Sequence, residues 1–238
     1  MTRAFDVAAA KRVTPFDDDV VSGCLSSVDV VRCKVGVIRG AVVVGHYSGV
    51  MPDAVQDAFA AFDGDTLVGA VAYGPGGTSK TFGAIIEGHD TKNSRELVRL
   101  WIHPKMPKNS ASLIVSRSLK QLPEQVGLVV SFADSGQGHS GFVYQALNFR
   151  YLGTTTRGKT YVDSDGVQVT PRLANIYRMR RPDEFGGCSD AEIRKSLGWR
   201  EVISHPKHRY AIGIGKDRKR INVALDKKSL PYPKGRES

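Results

Sequence analysis

The chain has 238 residues, 41% hydrophobic and 24% charged, a globular balance that excludes gross disorder and suits one large domain, or one mid-sized domain with an extension, better than two equal ones. Thirty-four lysines and arginines against 24 acids give a formal net charge of +10; ten of those cations and only three acids fall between His205 and Ser238, so a polyanion would be met at the C-terminal end. Three scattered cysteines without a C-x-x-C pair suggest neither a disulfide framework nor a zinc ribbon, and an N-terminus without an apolar signal core, in a chain with no run near the ~20 apolar residues of a membrane span, leads us to expect a protein retained in a reducing cytoplasm, away from membranes.

In chain order, residues 28–44 (VDVVRCKVGVIRGAVVV) are β-branched and punctuated by Gly36 and Gly40, which predicts one or two strands around a turn. A glycine-flanked loop, Gly45-His46-Tyr47-Ser48-Gly49, follows, then a short helix over Asp53 to Phe59. Asp63-Gly64-Asp65 between two apolar runs is a hairpin signal, and Pro75 to Gly77 end its second strand before a polar stretch up to Arg95. Residues 96–103 alternate as a half-buried strand broken by Pro104 and Pro107. Asn109 or Ser110 can then cap a helix whose Ala111, Val115, Leu119 and Leu122 recur at helical spacing. The run 126–133 (VGLVVSFA) reads as a central strand buried on both faces, followed by the polar loop Asp134 to Gly141 and a helix in FVYQALNF. Short strands at 151–153, 158–163 and 167–169, a capped helix at 189–197, a strand at 209–214 and a Lys/Arg-rich end complete the reading.

That order predicts an α/β fold, a central mixed β-sheet flanked by helices with a basic C-terminal extension, and it is also the order of the acetyl-CoA-dependent N-acyltransferase (GNAT) fold. The boundary is placed at 182, giving a catalytic domain over 1–182 and an extension over 183–238. Open α/β sheets place their sites at strand ends, which directs attention to His46-Tyr47, the loop 104–112 and the segment Asp134 to Tyr144. Each also has a plain structural reading. His46 and Tyr47 would form a solvated turn, Asp134 would cap a turn or helix, Tyr144 would be a partly buried helix residue, and His139 would be solvated.

Several motifs together resemble the bacteriophage Mom family: Glu96 to Trp101, the helix start Asn109 to Ser112, FADSGQGHSGFVYQALNFRYLG, the upstream His46-Tyr47 pair and the terminal Ser229 to Lys234. The resemblance implies a GNAT-like protein that converts adenine N6 in double-stranded phage DNA to a carbamoylmethylated form, shielding it from restriction endonucleases in the cytoplasm of the infected bacterial host. Carried over by motif, the catalytic residues fall on His46, Tyr47, Asp134 and Tyr144. Arg99, Lys108, Asn109, Ser110 and Ser112 occupy the place where acetyl-CoA or a related acyl-CoA would be held by backbone amides and helix dipole. This chain departs from ordinary GNAT enzymes there, because its Pro107-Lys108-Asn109-Ser110-Ala111-Ser112 contains no glycine; Lys108 is then the source of charge.

Adenine N6 is a poor nucleophile, so its chemistry asks for an acceptor or base, a role that suits Asp134, with His46 as an acid or base near neutral pH. The base must also leave the stack, and Tyr47 and Tyr144 can receive it. A carbamoylmethyl group attaches through its methylene carbon, which plain acyl transfer from an acetyl donor does not achieve. A redox metal, iron by the family association, is one way out, although no tight ligand spacing appears and no ligand set is assigned. DNA contacts are assigned to Lys216, Arg218, Lys219 and Arg220. Two readings from other classes stay open: a GNAT-type N-acetyltransferase for a protein or small-molecule amine, and a non-catalytic DNA-binding module. The oligomeric state is open too, a homodimer among the options.

Overall fold

The computed structural model describes residues 23–76, 79–166, 168–169 and 173–234; the N-terminal stretch read for a signal core lies outside them. Two compact units divide the chain. One takes the residues up to Ala133, His139–Gly153 and those from His208 onward; the other takes Asp134–Gly138 and Thr154–Lys207.

The first unit opens with β1 (Val28–Cys33) and α1 (Val35–Gly45). The second strand expected within 28–44 is this helix. Ile38, Ala41 and Val42, at helical spacing, are buried against Ala58, Ala60, Ala70, Ala72 and Trp101, and that burial overrides the β-branched propensity. Gly36 and Gly40 face open space, where they cost helix stability but obstruct nothing. No helix forms over 53–59, because the Gln56 amide donates to the Tyr73 carbonyl and Asp57 opens a strand.

Strands β2 (Asp57–Asp63) and β3 (Thr66–Gly74) form the hairpin expected at Gly64-Asp65, and both are almost wholly buried. Their alternate residues serve two cores: Ala58 and Ala60 face α1, while Phe59 and Ala61 join a cluster containing Val115 and Tyr144. Helix α2 (Ser79–Ile85) lies within the polar stretch to which the sequence pattern assigns no element. Strand β4 (Ser94–Ile102), helix α3 (Ser110–Leu119), strand β5 (Leu128–Asp134) and helix α4 (Phe142–Ala146) follow as expected, then β6 (Arg150–Thr154). Later in the chain β10 (Lys207–Gly213) enters the same sheet, and α8 (Arg218–Asp226) gives the basic end a helix that composition did not reveal. Ile221 and Leu225, one turn apart, bury α8 against a cluster containing Phe82 and Ile85 of α2.

The seven strands run in the order β1-β2-β3-β4-β5-β10-β6. The first four form an antiparallel meander, whereas β4 pairs parallel with β5, from Ser94↔Leu128 to Leu97↔Ser131. Pairing of β4 with β3 skips Val98, a β-bulge. A bulge increases local twist, and beyond it β4 continues to Ile102 without pairing to β5. A notch therefore opens between the two central strands, with α3 following β4 and α4 following β5. This is the mixed α/β sheet of the GNAT-like expectation.

In the second unit, β7 (Lys159–Val162), β8 (Gln168–Val169) and β9 (Arg200–Ile203) form a separate antiparallel sheet in the order β8-β7-β9. Helices α5 (Leu173–Arg180), α6 (Pro182–Phe185) and α7 (Asp190–Ser196) contribute Ala174, Phe185 and Ile193 to its small core. The cap expected at Ser189 is a complete capping box with Glu192. The Arg178–Asp190 ion pair ties α5 to α7.

Candidate active site

Local sequence explains how the first unit presents its site. Gly45 ends α1 against Trp101 of β4; a Cβ there would stand 2.6 Å from the indole Cδ1, so only glycine lets the loop lie this close. Arg99 fastens the same loop from below, donating through Nε to the Val50 carbonyl at 2.7 Å and through Nη1 to the Val98 carbonyl at 2.6 Å. Burial lowers the Arg99 pKa, with Tyr47 and Glu96 acting in the opposite sense. Nε thus positions loop 46–50, while Nη1 is held by the strand that carries Arg99.

His46 caps α1, and its Nδ1 accepts from the Ser48 amide at 3.1 Å and meets the Ser48 hydroxyl at 2.8 Å. Burial, helped by the charges of Arg99 and His139, pulls its pKa down to about 4. An acceptor Nδ1 puts the proton of the neutral ring on Nε2. At neutral pH the uncharged His46 ring thus presents Nε2–H as a hydrogen-bond donor. Tyr47, 52% exposed, lies over His46 with ring centroids 4.3 Å apart and meets His139 edge-on at 5.4 Å.

Tyr144 is buried on α4, between Phe149 at 5.5 Å and Tyr210 at 5.3 Å. Its hydroxyl hydrogen-bonds Ser131, and Ser131 donates to the Leu97 carbonyl at 3.1 Å. Leu97↔Ser131 is the last paired rung before β4 and β5 part, so this phenol stands at the head of the notch. Burial, with Tyr47 and Glu96 nearby, raises its pKa to about 12 against the opposing Ser131 bond. It is protonated at neutral pH. Helix α4 is set by its ends: Gly141 precedes it at φ 81°, and Asn148 follows at φ 58°. The Phe149 amide returns to the Tyr144 carbonyl and the Asn148 amide to that of Gln145, the Schellman pattern with asparagine at the left-handed position. The Asn-Phe of the motif is therefore a helix stop.

Asp134 ends β5 and belongs to the second unit. Its Oδ1 accepts from the Gly136 amide at 2.9 Å, and among the described residues Oδ2 has no recorded hydrogen bond. The plain capping reading thus accounts for half of this carboxylate. His139 is exposed, as expected, yet in ring contact with Tyr47.

At the start of α3, Asn109 adopts a left-handed conformation, φ 73°. Asparagine is the residue other than glycine that most readily does so, which explains how the turn forms without glycine. Ser110 Oγ donates to the Pro107 carbonyl at 2.5 Å and Ser112 Oγ to the Asn109 carbonyl at 2.9 Å, while Lys108 is exposed. The Ser110 and Leu113 amides are spent on the Pro107 and Asn109 carbonyls, which leaves the Ala111 and Ser112 amides and the helix dipole to face an anion. Of the basic residues near α8, Lys216 pairs with Glu124 and Arg220 lies 3.7 Å from Asp217; Arg218 and Lys219 are exposed.

The structure therefore gathers His46, Tyr47, Arg99, His139 and Tyr144 in one unit. Sequence reading missed Ser131, which anchors Tyr144; its signal was a lone hydroxyl inside an apolar strand. Tyr210, which packs on Tyr144, had no local signal. Among the described residues no group of three or more His, Cys, Asp or Glu side chains is placed to hold a metal, so the donor set does not fit the iron that the resemblance implies. Within those residues no helix is long and apolar enough to cross a membrane.

The Mom protein family model matches residues 28–234, and the chain belongs to that family. It is 32% identical over 177 residues to methylcarbamoylase Mom of Escherichia phage Mu, covering 73% of this chain and 70% of that protein. Among solved structures, the ribosomal-protein-S18-alanine N-acetyltransferase of Escherichia coli is similar at a TM-score of 0.44 and 8% identity, over 79% of this chain and 94% of that one. A GNAT family acetyltransferase of Elizabethkingia anophelis, solved with acetyl-CoA, is similar at 0.43 and 9% identity, over 79% and 99%.

Proposed function

We propose that this protein carbamoylmethylates adenine N6 in double-stranded phage DNA, in the cytoplasm of the infected host, and thereby protects that DNA from restriction endonucleases. The observation that carries the reading is the family match over residues 28–234, together with the 32% identical phage Mu methylcarbamoylase. The site geometry agrees with it. Tyr144, held protonated by burial, is the proton donor at the notch. Neutral His46 donates a hydrogen bond through Nε2, and Tyr47 offers an exposed aromatic face to an adenine ring. Asp134, by its match to the family motif, takes the acceptor role toward N6.

An acyl-CoA fits the donor set at the start of α3, where first-turn amides suit a pyrophosphate and the unpaired edge of β4 beyond Val98 leaves backbone groups for an extended arm. When bound, it would supply a two-carbon unit activated at its carbonyl carbon; joining the methylene carbon to N6 and forming the amide require an oxidant and a nitrogen donor in addition. Arg99 holds the loop that carries His46 and Tyr47, and exposed Lys108 adds charge beside the amides. Arg218 and Lys219, with Lys216 and Arg220, contact phosphates.

The test is mass analysis of nucleosides from DNA of cells expressing the wild type and Asp134→Asn, which keeps the Oδ1 cap but loses the charge. We expect a carbamoylmethylated adenine with the wild type and none with a folded Asp134→Asn. Unmodified DNA from folded wild type would sink the reading.

A further inference from the structure

Ten large hydrophobic side chains are exposed among the described residues, and five of them, Val43 (41%), Val44 (61%), Tyr47, Val50 (48%) and Phe142 (61%), lie on the two segments that carry the candidate site. The helix α4 turns Tyr144 into the core and leaves Phe142, two residues earlier, in water. A phenylalanine on a short helix beside an apolar core would ordinarily be buried; exposed, with four more exposed apolar residues on the other segment that carries the site, it marks a contact surface. Lys34 and Arg39, in the segment that carries α1, are exposed, and the exposed carboxylates of Asp29 and Asp53 stand at either end of that segment. Apolar side chains with cations in the same segment suit a nucleic acid, which offers phosphates outside and base faces within.

We propose that Phe142 is a wedge that enters the DNA duplex beside the target adenine and fills the gap in the stack when that base turns out toward Tyr47 and Tyr144. This rests on the reading of duplex DNA as substrate. The need for a wedge follows from the site itself. Tyr144 is only 8% exposed, its hydroxyl bound to Ser131 at the head of the notch, so an adenine stacked within a duplex does not reach it and must leave the stack. Extrusion leaves neighbouring bases unstacked, and an inserted apolar ring recovers that contact. Phe142 shares a five-residue helix with Tyr144, so a ring inserted there fixes the helix that carries the phenol relative to the vacated position. Lys34 and Arg39 would bind the flanking backbone.

The test uses the purified full chain and a pool of short duplexes in which 2-aminopurine replaces adenine in all flanking contexts, its fluorescence rising on extrusion. Phe142→Ala should bind the pool within about twofold of wild type, because phosphate contacts dominate affinity, yet lose the fluorescence rise by about tenfold or more. Placing an abasic position opposite the 2-aminopurine should restore the rise, as should Phe142→Trp. Leu230→Ala, an exposed apolar change away from these segments, should behave as wild type. The wedge is overturned if Phe142→Ala extrudes the base as well as wild type does. It is also overturned if sedimentation shows a wild-type dimer that Phe142→Ala splits, which would make the patch a contact between copies. Wild type that gives neither a fluorescence rise nor modified adenine in cells would overturn the DNA reading itself, whereas adenine modified equally by wild type and Phe142→Ala removes only the wedge.

Discussion

Replacing Gly141 by alanine separates two costs that the structure places at one atom. Gly141 sits at φ 81°, where a Cβ costs about 1–2 kcal/mol. That Cβ would also stand 2.7 Å from Tyr210 Cζ and 2.9 Å from its hydroxyl oxygen. Tyr210 cannot swing clear: its side chain is fully buried, its hydroxyl donates to the Ser140 carbonyl and it accepts from Gln145 Nε2 at 3.2 Å. Overpacking of this kind adds about 1–3 kcal/mol. The total of about 2–5 kcal/mol corresponds to a Tm lower by about 4–20 °C for a chain of this length. Gly138, at φ 72° with nothing within 4 Å, is the control; Gly138→Ala should cost only the conformational part, about 1–2 kcal/mol. In a Tyr210→Ala background, Gly141→Ala should fall to the same small cost. Thermal melts of the four variants and wild type measure this directly. Equal losses for Gly138→Ala and Gly141→Ala, or an undiminished loss in the Tyr210→Ala background, would refute the claim that Tyr210 sets the entry to α4.

His46 makes stability depend on pH. The unfolded chain takes up its proton near 6.5, while the folded ring resists until about 4, so stability is intact above 6.5 and declines as pH falls through that window; His46→Gln should flatten the decline in Tm, and unchanged pH slopes would reject the burial of this ring. Tyr144→Phe keeps the ring packing and Ser131's bond to Leu97, so it should cost about 0.5–1.5 kcal/mol in a melt but lower adenine modification by about 10²–10⁴; activity near wild type would return Tyr144 to a purely packing role. Replacing Arg218, Lys219 and Arg220 with glutamine should lower the salt slope of DNA binding by up to about three units, with Arg220 contributing least because Asp217 lies 3.7 Å away; an unchanged slope would leave the start of α8 as solvated surface.

Features caused by a few neighbouring residues are legible in the sequence. The hairpin at Gly64-Asp65, the largely apolar β5, the α3 start at Asn109 and Ser110 and the Ser189–Glu192 capping box all follow from local chemistry and appear where expected. Helix α1 does not, because its β-branched residues favour a strand until Ile38, Ala41 and Val42 find the sheet face that buries them. The fold of α8 is hidden for another reason, its two buried residues being diluted by charge. Motif matching brought forward His46, Tyr47, Asp134 and Tyr144 by residue type, but their states come from contacts distant in sequence. His46 is neutral because the folded chain buries it and brings the charges of Arg99 and His139 near, and Tyr144 is protonated because packing against residues such as Tyr210 buries it, against the opposing bond to Ser131. Composition specifies which groups can titrate; only the folded chain excludes water from them, and that exclusion decides which form of each is present at neutral pH.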